Sequence, residues 1–116
     1  MRNDPSVVVK TFVFVLWLLP HLAGFSRQHR FTLGDRMENQ ALEILDLLVQ
    51  ASYSREKRDL LRQANLGLER LRFLIRLAKD LRLLSGSQYE FAGRAMYGIG
   101  SEIGGWTKQA ASPPPS

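Results

Sequence analysis

Apolar residues recur at helical spacing through most of this chain. Between Ser54 and Leu83, Leu61, Ala64, Leu68, Leu71, Ile75 and Ala78 follow one another at intervals of three and four, the repeat of one continuous helical face. The segment has no proline and one glycine, and it predicts a helix over about 54–83, roughly 45 Å long at 1.5 Å per residue. Upstream, Leu33, Met37, Ala41, Ile44, Leu48 and Ala51 keep the same spacing, with Asp35, Glu38, Glu43 and Asp46 off the stripe. They predict a helix over about 30–52, for which Ser26 and Thr32 are both possible caps, while Ser54 caps the next helix. Downstream, Tyr89, Ala92, Met96, Ile99, Ile103 and Trp106 predict a helix over about 87–108. Two overlapping capping boxes precede it, Ser85 with Gln88 and Ser87 with Glu90. Five glycines, Gly93, Gly98, Gly100, Gly104 and Gly105, fall inside this last pattern. At about 1 kcal/mol each relative to alanine they would ruin an isolated helix, so packing must hold it.

The first apolar run is different in kind. Asp4-Pro5 reads as a helix start, with Asp as N-cap and Pro at the first helical position. VVVKTFVFVLWLLP follows, with an unbroken apolar stretch only from Phe12 to Leu19. That is short of the roughly 20 residues of a membrane span. As a signal peptide it lacks a basic start and a small-x-small cleavage site, and Lys10 interrupts it. The reading is a buried helix over about 5–22 that ends or kinks at Pro20.

Four helices with short connections and one apolar stripe apiece predict an all-α fold, an antiparallel four-helix bundle over residues 1–109. The Pro/Ser end, 110–116, reads as a disordered tail. The length suits one domain. The absence of cysteine excludes disulfides and thiolate metal sites.

Charge adds a functional lead once it is located. The net charge is +5, and the span from Arg55 to Arg82 alone holds nine basic and four acidic residues, against seven of each elsewhere. The whole excess therefore sits in and around one helix. Arg58, Arg62, Arg72, Arg76 and Lys79 form a ladder beside the apolar stripe, roughly 50–150° from its centre at 100° per residue. Arginine-rich flanks suit bidentate contacts to phosphate or carboxylate and grip a nucleic-acid backbone without base readout. The plain alternative is a solvated face with local partners, such as Arg72 or Arg76 with Glu69 or Asp80. A second basic set, Arg27, Arg30 and Arg36, lies around the start of the second helix.

Catalytic chemistry finds no foothold. His21 and His29 are the only histidines, and neither stands in an Glu-x-x-His or other metal-binding spacing. Neither has an arginine upstream with four to six residues between, the Arg-x4-6-His signature of small helical ribonucleases. The glycines of GIGSEIGG lack the Lys-Ser/Thr of a phosphate loop. The expectation is a protein that is not an enzyme and holds no metal or cofactor.

The stretches HRFTLGDR (29–36), LRFLIRLAKDLRLL (71–84) and Gly104-Gly105-Trp106 are the most specific points at which residues 12–108 resemble the Avd family. These are the accessory variability determinants of bacterial diversity-generating retroelements, similar to the bundle proteins of rRNA intervening sequences. The resemblance implies a cytoplasmic, non-enzymatic bundle assembled as a homopentameric barrel, with no membrane association. It implies binding to a reverse transcriptase and to template-repeat RNA in support of mutagenic retrohoming. It also implies that basic surface residues make the contacts, here Arg58, Arg62, Arg72, Arg76 and Lys79, with Arg27, Arg30 and Arg36 as a second set. The first helix departs from the pattern in being unusually apolar. Some members have no neighbouring reverse transcriptase, which leaves a standalone RNA-associated or structural oligomer as the alternative.

Overall fold

The computed structural model describes residues 4–111, and these form four helices with no strand. The first is Ser6–Ala23. The second is a continuous run over 27–53, made of Arg27–His29, a π-helical stretch Arg30–Gly34 and Asp35–Tyr53. The third is Arg58–Asp80 and the fourth Gly86–Ala111. The first and the third helices each pack against the second and the fourth, so the four close a ring in chain order. Side-chain pairs fix the directions. Lys10 pairs with Glu102 near one end, and Trp17 meets Phe91 at 4.6 Å near the other, so the first and fourth helices are antiparallel. Lys57 lies over Trp106 and Lys79 over Tyr89, so the third and fourth are antiparallel too.

The apolar stripes read from the spacing face the core, with Tyr89 and Trp106 at the two ends of the fourth-helix stripe half-buried against it. Leu61, Ala64, Leu68, Leu71, Ile75 and Ala78 of the third helix are buried, as are Met37, Ala41, Ile44, Leu48 and Ala51 of the second. Burying each Leu or Ile side chain contributes about 1.5–3 kcal/mol relative to leaving it in water. The first helix buries Val7, Phe14, Val15, Leu18 and Leu22, with Thr11 satisfied by the Val7 carbonyl at 2.7 Å. By length and composition alone it could cross a membrane. In the bundle one of its faces is core and the other, with Phe12, Val13 and Leu16, is exposed.

The helix ends differ from expectation in instructive ways. The first helix begins at Ser6, and the Pro5 carbonyl, with no Asp4 side-chain cap, accepts from Val8 and Val9. It also runs through Pro20 to Ala23. The second starts directly after Ser26, whose carbonyl accepts from the His29 and Arg30 amides, so the helix begins at Arg27, three residues before the start at about 30 that the spacing predicts. Ser54 does not cap the third helix. Its hydroxyl donates back to Gln50 O (2.8 Å), while Lys57 Nζ donates to the Ala51 and Ser54 carbonyls (2.7 and 2.5 Å). Both thus satisfy orphan acceptors at the end of the second helix, and the third begins only at Arg58. It stops at Asp80, short of 83, because Arg82 takes a left-handed conformation (φ 63°). The Leu83 amide then bonds to Ala78 O at 2.8 Å, the closing bond of a Schellman turn. Of the two capping boxes, Ser85–Gln88 forms: Gln88 N donates to Ser85 Oγ (3.1 Å) and Ser85 N to Gln88 Oε1 (2.9 Å). The fourth helix continues to Ala111, and the rest of the Pro/Ser end, 112–116, lies outside the described residues.

Candidate functional site

The basic ladder faces the groove between the third and fourth helices. Arg72 Nη2 donates to the Met96 carbonyl oxygen at 3.3 Å, Lys79 sits 5.3 Å above the Tyr89 ring, and Arg58 and Arg62 share a depression with Thr107. All three partners belong to the fourth helix. Arg76 stands one turn beyond Arg72 and one before Lys79 on the same side. Four of the five ladder residues are exposed and Arg72 is half-buried.

The ladder is not uniformly free. Arg62 is ion-paired with Asp59, and Arg72 with Glu69, each three residues apart on the helix. The local pairing expected of a solvated face is therefore realised at two positions. Among the described residues, Arg58 and Arg76 have no acidic partner, and Asp80 does not reach Arg76. The Asp59 carboxyl is held below the usual carboxylate range, first by the Arg62 hydrogen bond and then by Gln63 Nε2, which donates at 2.7 Å. Exposed pairs of this kind contribute little to stability, so Arg62 and Arg72 can exchange their carboxylates for a phosphate at small cost.

The fourth helix supplies the other wall, and here spacing alone missed what matters. Gly93 and Gly104 have open space where a Cβ would stand, and Tyr97 is 74% exposed. Gly100 is the exception among the five glycines. A Cβ there would approach Arg72 Nη2 to 2.8 Å and Leu68 Cδ2 to 3.2 Å. Its missing side chain lets Arg72 lie across the fourth helix. On this side the arginines of the third helix therefore lie against the fourth helix, with Arg72 seated over Gly100.

The second basic set is not part of this groove. Arg36 lines a separate depression with His29, Phe31, Leu74, Leu77 and Leu81, between the second and third helices. Arg30 lies 5.4 Å over the Phe31 ring. Arg27 and Arg36 are exposed and have no partner among the described residues. The structure thus separates the ladder of the third helix from the second set, of which Arg36 lies on the other side of that helix.

The remaining polar aromatics have local work. His21 Nδ1 donates to the Trp17 carbonyl at 2.7 Å, and its ring stacks on Trp17 at 4.2 Å. Among the described residues no group of three or more His, Asp or Glu side chains is placed to hold a metal ion.

A family model described as bAvd-like matches residues 7–110, nearly the whole described chain. No curated protein matches the sequence.

Proposed function

The chain belongs to the bAvd-like family, and on that premise we propose that it is a non-enzymatic adaptor holding a reverse transcriptase and its RNA together. The family is accessory and associated in general with diversity-generating retroelements. The reading places the protein in the cytoplasm as a homopentameric barrel that supports mutagenic retrohoming. One observation carries the contact surface: Arg58, Arg72, Arg76 and Lys79 lie along one side of the third helix, where Arg72 and Lys79 reach the fourth helix at Met96 and Tyr89 and Gly100 leaves room for Arg72. A polyanion gains counterion-release affinity from such a row. Tyr97 offers a ring on which an unpaired base stacks.

The test is charge reversal. Arg58, Arg62, Arg72 and Arg76 changed together to Glu should abolish capture of the reverse transcriptase or of template-repeat RNA, while the helical circular dichroism is retained. Undiminished capture at physiological salt sinks the assignment of this surface. A gene neighbourhood with no reverse transcriptase and no template and variable repeats would favour the standalone RNA-associated oligomer instead.

A further inference from the structure

We propose that the seam between the first and fourth helices binds a long-chain carboxylate, its acyl chain laid in the seam and its head group on Arg94. Two cross-helix contacts bound the seam. At one end Trp17 meets Phe91 at 4.6 Å, and at the other Lys10 pairs with Glu102. These contacts stand about 10 Å apart along the first helix and about 16 Å along the fourth, at 1.5 Å per residue. Between them the two helices do not fill the space. Val9 and Val13 on one side and Ala95 and Gly98 on the other are short, and a Cβ at Gly98 would meet nothing within 4 Å. Buried Phe14 also lines the gap, an open-sided cavity of about 340 Å³.

The lining is apolar except for two cations, Lys10 from the first helix and Arg94 from the fourth. Lys10 is committed to Glu102, whereas Arg94 is exposed and has no acidic partner among the described residues. Small-molecule sites in helical bundles have this size and make-up: an apolar cleft between helices, with a few polar groups that fix orientation.

The chemistry of the lining selects the ligand. A polyanion such as RNA would use the cation and leave Val13, 54% exposed, and Phe91, 40% exposed, in water. A neutral hydrocarbon would leave Arg94 unused. A chain with one anionic end satisfies both, because each methylene it buries leaves water and the guanidinium takes the carboxylate bidentately. Arg94 and Gly98 stand one turn apart on the fourth helix, so one face serves head group and chain. Gly100, two residues on, faces Arg72 of the third helix instead. The site is therefore separate from the arginine ladder, and the inference stands whether or not RNA binds there.

The experiment is calorimetric titration of the full chain with sodium dodecanoate below its micelle concentration, alongside octanoate, decanoate and dodecyltrimethylammonium. Dodecanoate should bind saturably, with affinity rising roughly two- to fourfold per added methylene from octanoate. The trimethylammonium of equal chain length should bind roughly tenfold more weakly or worse. Gly98→Leu, which sets a side chain in the cavity, should weaken dodecanoate roughly tenfold or more. Its melting temperature should hold or rise, since leucine is the better helix former, which separates a filled site from a damaged fold. Arg94→Glu, at an exposed position, should remove the preference for the anionic head, and it keeps the test alive should Gly98→Leu fold poorly. No saturable binding, affinity indifferent to chain length, equal binding of the cationic surfactant, or unchanged binding by a folded Gly98→Leu would overturn the proposal. So would flotation of the chain with phosphatidylglycerol vesicles without any binding of dodecanoate, which would make the same face a membrane contact.

Discussion

Arg72 lies across Gly100, its guanidinium reaching the Met96 carbonyl at 3.3 Å through the space a Cβ would fill to within 2.8 Å. A cation on the third helix is thereby held over the backbone of the fourth. Gly100→Ala should displace the flexible end of Arg72 and press on Leu68. The helix-propensity gain of about 1 kcal/mol offsets that crowding, so thermal unfolding should stay close to the unmodified protein. RNA affinity should fall several-fold in a filter-binding titration.

The glycines also divide sharply by what surrounds them. Gly93 and Gly104 face open space, so Gly93→Ala and Gly104→Ala should each stabilise by up to about 1 kcal/mol, raising the melting temperature by at most roughly 4 °C. Gly67 is the opposite case. A Cβ there meets Gln40 Nε2 at 2.8 Å and Ile44 Cγ1 at 3.1 Å where the second and third helices approach. Gly67→Ala should therefore lower stability, because overpacking of about 1–3 kcal/mol exceeds the propensity gain. Differential scanning calorimetry of the three variants gives the signs directly.

Arg82 holds a left-handed backbone, φ 63°, to close the third helix. That conformation costs a non-glycine residue about 1–2 kcal/mol. Arg82→Gly should recover roughly 1 kcal/mol in chemical denaturation with no change in helix content. A loss of stability would mean that the side chain makes a contribution of its own.

Asp59 provides the pH-dependent readout. Its folded-state pKa is lowered, chiefly by the Arg62 hydrogen bond and then by Gln63. The interaction is therefore present above the unfolded-state pKa and is lost as pH falls through the lower folded-state value. Carboxyl-carbon NMR titration should give Asp59 a midpoint below the ordinary carboxylate range. Arg62→Gln should raise that midpoint toward the ordinary value while Gln63 continues to hold part of the shift. An unchanged midpoint in the variant would remove Arg62 as its principal cause.

Much of the bundle is legible in the sequence because three-and-four spacing is a direct record of burial. Leu61 to Ala78 and Met37 to Ala51 are core for that reason. The family resemblance, too, could be read from residues such as HRFTLGDR, and the bAvd-like match spans them. What spacing does not carry is the competition for backbone groups at helix ends. Ser54 and Lys57 both turn back to the second helix, and nothing in the pattern ranks that above capping the third. The π-helical stretch Arg30–Gly34 is equally silent, since one added residue in a turn leaves the apolar positions Leu33 and Met37 in place. The candidate groove was half visible. The arginine ladder shows at once as a run of one sign, whereas the role of Gly100 depends on which neighbour fills its missing side chain.

The most direct test of the account is the salt dependence of RNA binding with and without the two unpartnered ladder arginines. Binding of single-stranded template-repeat RNA should weaken linearly in log–log coordinates as salt rises, with a slope of roughly −0.7 per phosphate neutralised. The double variant Arg58→Gln, Arg76→Gln should lose about 1.4 from the magnitude of that slope and bind more weakly at every salt concentration, with its fold intact. An unchanged slope and affinity in the double variant would contradict the claim that the third–fourth helix groove holds the RNA.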